Sequence, residues 1–251
     1  MAKKHPSSIN QFLLNQNYAI LVDFRAQMAT CLIATTPERL KRHADDYGWH
    51  LCSLKGARST SALVIQKEDS DPELWVRVTY RCYRKAFRLF FHQFFDIDDI
   101  GNFGCFEVDH LHPQFGFNEH TSHYFIRLAL VQKSINASYG AGFERVLYKR
   151  EREKRLIGGV HMDWMTYLKV RGICVPMKSL SVTYWKTWAW QCAKELETDG
   201  FDTVLTYVGL ITMLNDAFQN KFQPLPLDES FADEIQSYPS FPVVSQLSIS
   251  H

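Results

Sequence analysis

Paired cysteines, an excess of charge of one sign and long apolar runs are all missing from this sequence of 251 residues. The six cysteines are scattered without any Cys-x-x-Cys pair, which argues against a zinc ribbon and is typical of free buried thiols in a reducing compartment. Lys and Arg number 28 against 27 Asp and Glu, so any nucleic-acid surface must be a local patch. The longest apolar stretch, 204–214, falls well short of a membrane span. We therefore expect a soluble, cytoplasmic protein without a membrane partner.

What the sequence does contain is typical of a globular α+β protein. Hydrophobic residues make up 46% of the chain, which argues against wholesale disorder, and the 14% of aromatic residues predicts a core rich in rings. Thr35 or Thr36 followed by Pro37 predicts the start of a helix, and Gly48 predicts its end. The segments WHLCSL, SALVIQK and LWVRVTYRCY predict two or three antiparallel strands.

A stripe of phenylalanines predicts the next helix and suggests a domain boundary after it. Five of them recur at helical spacing with basic residues opposite, a pattern that predicts a helix packed on the core: Phe87, Phe90, Phe91, Phe94 and Phe95. We expect an N-terminal module of antiparallel strands and helices over 1–98, of unknown role. A core with C-terminal helices follows over 99–222, and a Pro-rich irregular tail over 223–251.

The segment that carries chemistry begins with VDHLHPQ at residues 108–114 and continues with RLALV and SINASYG. It predicts a strand that ends in Asp109 and His110, a loop, a second strand, and a helix start that carries Asn136. Carboxylate and amide oxygens are hard ligands suited to Mg²⁺. An imidazole beside them can take a proton from water, and the metal can stabilise charge on a phosphate. This arrangement suits the cleavage of phosphodiester bonds with one divalent metal.

On these residues the segment resembles the HNH family of nucleases, also called ββα-metal or His-Me finger nucleases, and most closely the HNH domain of RNA-guided CRISPR effector nucleases. The resemblance covers about residues 103–142. It implies an HNH-like ββα-metal centre in which Asp109 and Asn136 bind the metal and His110 is the general base. His112, two residues further on, is either an auxiliary metal ligand, a phosphate contact or a surface histidine.

One position departs from the family pattern. The family usually has an asparagine at the start of the second strand, where it braces the loop, and the matching residue here is Arg127. Either Asn118 braces the loop instead, or Arg127 contacts the scissile phosphate. The zinc-binding cysteine pairs of many family members are also missing. This departure favours the alternative that the fold is retained without catalysis.

Basic residues just after the predicted metal-binding helix supply a candidate contact with a phosphate backbone. Six basic residues stand against three acidic ones over 144–155, and a solvated helix of mixed charge is the alternative interpretation. The residues assigned to DNA binding are Arg145, Lys149, Arg150 and Arg152.

The sequence therefore predicts a Mg²⁺-dependent endonuclease that acts on DNA, and it leaves RNA open as a substrate. The resemblance implies a bacterial toxin, a defence nuclease or a nuclease of a mobile element, without choosing among them. The alternative is a catalytically inactive module that binds nucleic acid or protein, such as an immunity or regulatory factor. A partner protein would then bind through the N-terminal module. A structural protein that docks a partner through aromatic residues is the third hypothesis.

Overall fold

The computed structural model describes residues 8–25, 33–34, 36–68, 70–95, 103–112, 123–140, 144, 163–176 and 182–219. The chain divides into two compact units, 1–177 and 178–251. The first unit mixes helices with an antiparallel sheet, which confirms the predicted α+β class. Its elements are α1 (Ile9–Arg25), β1 (Ile33–Ala34), α2 (Pro37–Asp46), β2 (His50–Ser53), β3 (Ala62–Gln66), β4 (Glu73–Arg77), α3 (Tyr83–Phe95), β5 (Phe106–His110), β6 (Phe125–Gln132), α4 (Lys133–Ser138) and α5 (Trp164–Arg171).

Strand β6 is the centre of the sheet. The strand order is β1-β6-β4-β3-β2, and β5 also pairs with β6. The first part of β6 pairs with β4, where Val76 lies opposite Ile126, and the remainder pairs with β5, where Val108 lies opposite Leu130. The sheet thus joins strands from both sides of the boundary predicted at 98–99, and the structure places both segments in one compact unit.

Local signals in the sequence set the ends of α2 as predicted. The Thr36 side chain accepts a hydrogen bond from the Arg39 amide, and Pro37 occupies the first turn, where its missing N–H has no partner to lose. The helix ends before Gly48, whose φ of 68° lies in the left-handed region that glycine adopts without strain. The three strands predicted after it also form, although the last one ends at Arg77 and the following residues turn into α3.

The first face of the sheet is covered by α3 and by the N-terminal half of α1. The phenylalanine stripe of α3 packs against Phe12, with ring centroids of Phe12 and Phe91 4.5 Å apart. Val64, Val76 and Leu128 supply the sheet side of this core. Each fully buried phenylalanine contributes about 1.5–3 kcal/mol relative to an exposed one, so the stripe is a major source of stability. The prediction that it belongs to the core is confirmed.

The second face of the sheet is covered by α2 and α5. Leu40 and Ala44 of α2 pack on Trp75 and Phe125, which are neighbours in the sheet. Helix α5 contacts β6 further along, and its residues from Met165 to Val170 are all buried. One of these buried residues is Lys169, a charged side chain that needs a partner inside the protein.

Helix α1 was not predicted from the sequence. It runs along the edge of β6 that, in the described part of the chain, is left without a neighbouring strand where β4 ends. The Gln16 side chain accepts a hydrogen bond from the Leu130 N–H at 2.9 Å and donates one to the Leu130 carbonyl at 3.0 Å. Its amide therefore replaces a neighbouring strand at this point of the ladder. Further along α1, Phe24 stacks on Tyr167 of α5, so the helix passes from the first face to the second.

The second unit contains two helices that pack against each other, α6 (Val182–Leu196) and α7 (Thr203–Gln219). A short 3₁₀ turn and Gly200 join them. Trp185 and Trp188 are buried, whereas Trp190 is 37% exposed. None of the helices within the described ranges is long and apolar enough to cross a membrane. The predicted tail over 223–251 lies outside the described residues.

The described cysteines are free thiols, in agreement with the prediction. Their burial differs from the expectation, since Cys82, Cys105 and Cys174 are exposed and only Cys192 is fully buried. Cys82 and Cys105 lie in turns and Cys174 in irregular backbone, where apolar sequence neighbours do not predict burial.

Candidate functional site

The predicted order of strand, strand and helix is present as β5, β6 and α4. Asp109 and His110 are the last two residues of β5, and Asn136 lies on α4 directly after β6. Side chains alternate along a strand, so Asp109 points to the second face of the sheet and His110 to the first. Glu107 shares the second face with Asp109 for the same reason.

Asp109 is held by a buried lysine. The Lys169 ammonium lies 2.5 Å from the Asp109 carboxylate and 2.6 Å from the Glu144 carboxylate. The exposed fractions of the three side chains are only 3% for Lys169, 21% for Asp109 and 13% for Glu144. One ammonium therefore joins two carboxylates from different segments in a largely dry environment, where charges interact strongly.

The pKa values of this group follow from burial and from the shared charges. Burial alone favours the neutral amine, but Asp109 and Glu144 outweigh it and raise the pKa of Lys169. Burial also raises the pKa of Glu144, and the Lys169 charge offsets only part of that rise. Lys169 is therefore charged at neutral pH, and Glu144 is easier to protonate than an exposed glutamate.

Asn136 is held beside this group by a second carboxylate. Its side-chain amide donates a hydrogen bond of 2.8 Å from Nδ2 to Oε1 of Glu107. Because Glu107 and Asp109 lie on the same face of β5, Asn136 belongs to the same side of the sheet as Asp109. We call the group of Glu107, Asp109, Asn136, Glu144 and Lys169 the Asp109 cluster.

The two predicted histidines lie in different surroundings. His110 is 4% exposed, and its ring centroid lies 4.4 Å from that of Tyr83 on the first face. Burial lowers the pKa of His110 to about 4, against a smaller opposing effect of Asp109. His112 is 2% exposed and is among the groups that lower the pKa of Glu144, so it lies near the Asp109 cluster.

Arg127 does not join the Asp109 cluster but forms an ion cluster of its own. Its guanidinium lies 3.2 Å from the Asp23 carboxylate and 3.0 Å from that of Glu73. Lys67 bridges the same two carboxylates at 3.1 and 2.6 Å. Arg127 and Lys67 lower the pKa of Glu73 against the effect of its burial. We call these four residues the Arg127 cluster; it lies on the second face, two positions along β6 from the partner of Asp109.

The remaining predicted contacts cannot be placed. Arg145, Lys149, Arg150 and Arg152, assigned to DNA, lie outside the described residues, as does Asn118. Within the described part of the chain, no group of three or more His, Cys, Asp or Glu side chains is arranged to hold a metal ion. Within the Asp109 cluster, Lys169 contacts the Asp109 and Glu144 carboxylates, and the Asn136 amide donates its hydrogen bond to Glu107.

Three members of the Asp109 cluster were not identified from the sequence: Glu107, Glu144 and Lys169. Glu107 carried a usable signal, because it stands two residues before Asp109 in a predicted strand and must share its face. The sequence signal for Lys169 was weaker: it is the single charged residue of the apolar segment WMTYLKV. Glu144 stands in a charged stretch that gives no sign of burial.

Comparison with protein-family models, with curated proteins and with solved structures gave no match to this chain.

Proposed function

We propose that this chain is a divalent-metal-dependent endonuclease of HNH type that hydrolyses phosphodiester bonds in DNA, with the Asp109 cluster as its metal-binding face. The observation that carries the proposal is the β5-β6-α4 arrangement with Asp109 and Asn136 on one side of the sheet. Val108, Asp109 and His110 of the VDHLHPQ string end β5, and Asn136 of the SINASYG string lies on α4.

The donor chemistry of the cluster suits Mg²⁺. Carboxylate and amide oxygens are its preferred protein ligands, and Asp109 and Asn136 would hold it, with Glu144 as a further oxygen donor. Formally the cluster has three carboxylates and one ammonium, an excess of two negative charges that equals the charge of one divalent cation. Once bound, the metal would stabilise negative charge on the phosphate and on the leaving oxygen.

The side chains of the chain itself divide the other tasks. The Lys169 ammonium contacts the Asp109 and Glu144 carboxylates at 2.5 and 2.6 Å and holds both in place. Glu107 fixes the Asn136 amide through Nδ2, so that Oδ1 is oriented as an acceptor. The arrangement is therefore held before a substrate arrives, which favours electrostatic stabilisation of the transition state.

The proposal assigns the removal of a proton from water to His112. The resemblance gives this role to His110, but the His110 ring lies on the opposite face against Tyr83. His112 is an imidazole that lowers the pKa of Glu144, so it lies near the Asp109 cluster. Imidazole is the commonest general base in enzymes. His110 then acts as a positioning residue that anchors the end of β5 in the core.

A catalytically inactive binding module is the second candidate, and Lys169 is the observation that favours it. An ammonium that already neutralises Asp109 can stabilise the fold without any metal. In that case the sheet, the helices and the Asp109 cluster would serve to present a binding surface for nucleic acid or for a partner protein.

Nicking of a supercoiled plasmid by the full-length chain during a MgCl₂ titration separates the two candidates. The proposal predicts nicking that requires Mg²⁺ and stops on addition of a chelator. His112→Gln should reduce the rate by about 10²–10⁴, the usual contribution of a general base, in protein that circular dichroism shows to be folded. Binding of the plasmid without nicking at any metal concentration supports the inactive module instead. A rate that falls only in His110→Gln would return the role of the base to His110.

A further inference from the structure

We propose that a second site, a cavity between α1 and the turns that follow α2 and β3, binds a small organic cation with a guanidinium or ammonium group on an apolar stem. The cavity has a volume of about 630 Å³, within the range of small-molecule sites. It is independent of the proposed nuclease activity, because none of its lining residues belongs to the Asp109 cluster.

Aromatic side chains form the apolar walls of the cavity. Tyr47 and Trp49 stack with ring centroids 4.8 Å apart and planes inclined by 23°. Tyr18 of α1 also lines the cavity and is 68% exposed. Aromatic faces attract cations through their negative π surfaces, and a guanidinium stacks on them more readily than other groups do.

The Lys67 ammonium shows that this site already favours positive charge. Its Nζ lies 4.0 Å from the centroid of the Trp49 ring, and it forms ion pairs with Asp23 and with Glu73. Its charge is thus used within the protein and is not available to attract an anion. A ligand that enters the cavity meets an aromatic and acidic surface.

Carboxylates give the cavity its charge. Asp23, Glu68 and Asp71 line it; because Asp23 belongs to the charge-balanced Arg127 cluster, Glu68 and Asp71 give the lining its two further formal negative charges. Asp71 lines the cavity and is 7% exposed, so water screens its charge only weakly. This charge disfavours phosphates and nucleotides and selects a cationic ligand with an apolar body.

Titration calorimetry of the full-length chain with agmatine tests the proposal, since agmatine carries a guanidinium and an ammonium on a four-carbon stem. We expect saturable binding of one molecule that weakens as NaCl is raised. Neutral 1,4-butanediol and anionic succinate should give no binding at the same concentrations. Failure of agmatine to bind at millimolar concentration, or binding of succinate that is equal or stronger, would overturn the proposal.

Variants locate the site. Asp71→Asn should weaken agmatine binding by at least about tenfold, because it removes a buried charge from a charge pair. Glu68→Gln, at an exposed position, should weaken it about two- to fivefold. Asp46→Asn removes an exposed carboxylate of α2 outside the lining and should leave the affinity unchanged.

Tyr18→Ala keeps the test decisive if Asp71→Asn fails to fold. Tyr18 is too exposed to support the core, so its loss should weaken agmatine binding while the unfolding midpoint stays constant. Equal losses of affinity in Asp46→Asn and in the lining variants would mean that agmatine responds to overall charge, and the site would be rejected. Neither result bears on plasmid nicking, which depends on other residues.

Discussion

The Arg127 cluster and the Asp109 cluster lie on the same face of one sheet but differ in their balance of charge. The Arg127 cluster has two carboxylates and two cations, each cation bonded to both carboxylates. The Asp109 cluster has three carboxylates and one ammonium. A balanced cluster is complete and ties α1 to β4 and β6. An unbalanced cluster keeps an attraction for further positive charge, and this is the reason to place the metal there.

The largest effect is expected when the balanced cluster is broken. Arg127→Met leaves Asp23 and Glu73 buried with Lys67 as their shared cation, and the free energy of unfolding should fall by about 3–5 kcal/mol. Denaturant titration measures this loss. Arg127→Lys, which keeps the charge but loses the planar fork, should lose less. A loss for Arg127→Met below about 1 kcal/mol, the value of an exposed ion pair, would contradict the structural role.

The unbalanced cluster should respond differently to the loss of its cation. Lys169→Met leaves Asp109 and Glu144 without a counter-ion, and we expect a loss of about 3 kcal/mol in the free energy of unfolding. MgCl₂ should restore part of it, since a ligand at a hundredfold excess over its Kd adds about 2.7 kcal/mol. Arg127→Met is the matched control: it keeps the Asp109 cluster, so MgCl₂ should stabilise it only as much as it stabilises the wild type, and less than it stabilises Lys169→Met. Equal responses of the two variants to MgCl₂ would remove the distinction between the clusters.

A fall in pH should lower the free energy of unfolding through His110, the buried histidine on the first face of the sheet. The pKa of His110 is lowered by burial from 6.5 to about 4, so between these values the unfolded chain binds more protons than the folded one. The contribution of the neutral His110 ring to the free energy of unfolding is fully present above about pH 6.5. It is lost as the pH falls towards 4, by up to about 3 kcal/mol. The difference in unfolding free energy between the wild type and His110→Leu should vary over this range and stay constant from pH 7 to 8. A difference that is independent of pH would show that His110 is not buried as a neutral ring.

The smallest effect concerns the hydrogen bond between Asn136 and Glu107. Asn136→Ala should lower the free energy of unfolding by about 1 kcal/mol, the usual net value of one hydrogen bond. Gln11→Ala, which removes an exposed bond to Asn15, is the control and should have almost no effect. If the two variants lose the same free energy, Asn136 is not held in place by Glu107.

Elements with local signals could be predicted from the sequence, whereas the ion partners could not. Thr36 and Pro37 start α2, and the phenylalanine stripe forms α3, because caps and periodicity involve residues close in the chain. Helix α1 was missed because its apolar residues alternate with Asn and Gln, and one of these glutamines finds its partner in Leu130, far along the chain. The β5-β6-α4 order was predicted, but the bond from Lys169 to Asp109 depends on how α5 packs on the sheet.

The claim that the Asp109 cluster is the metal-binding face is tested most directly by plasmid nicking. The rate is measured for Asp109→Asn and for Arg127→Lys, each at a saturating concentration of MgCl₂. Both substitutions alter a charged cluster on the same face of the sheet, and circular dichroism controls for folding. We expect the nicking rate of Asp109→Asn to fall at least about 10²-fold, because transition-state stabilisation is removed. Arg127→Lys should retain most of the wild-type rate. Nicking that survives in Asp109→Asn, or that falls equally in both variants, would contradict the claim.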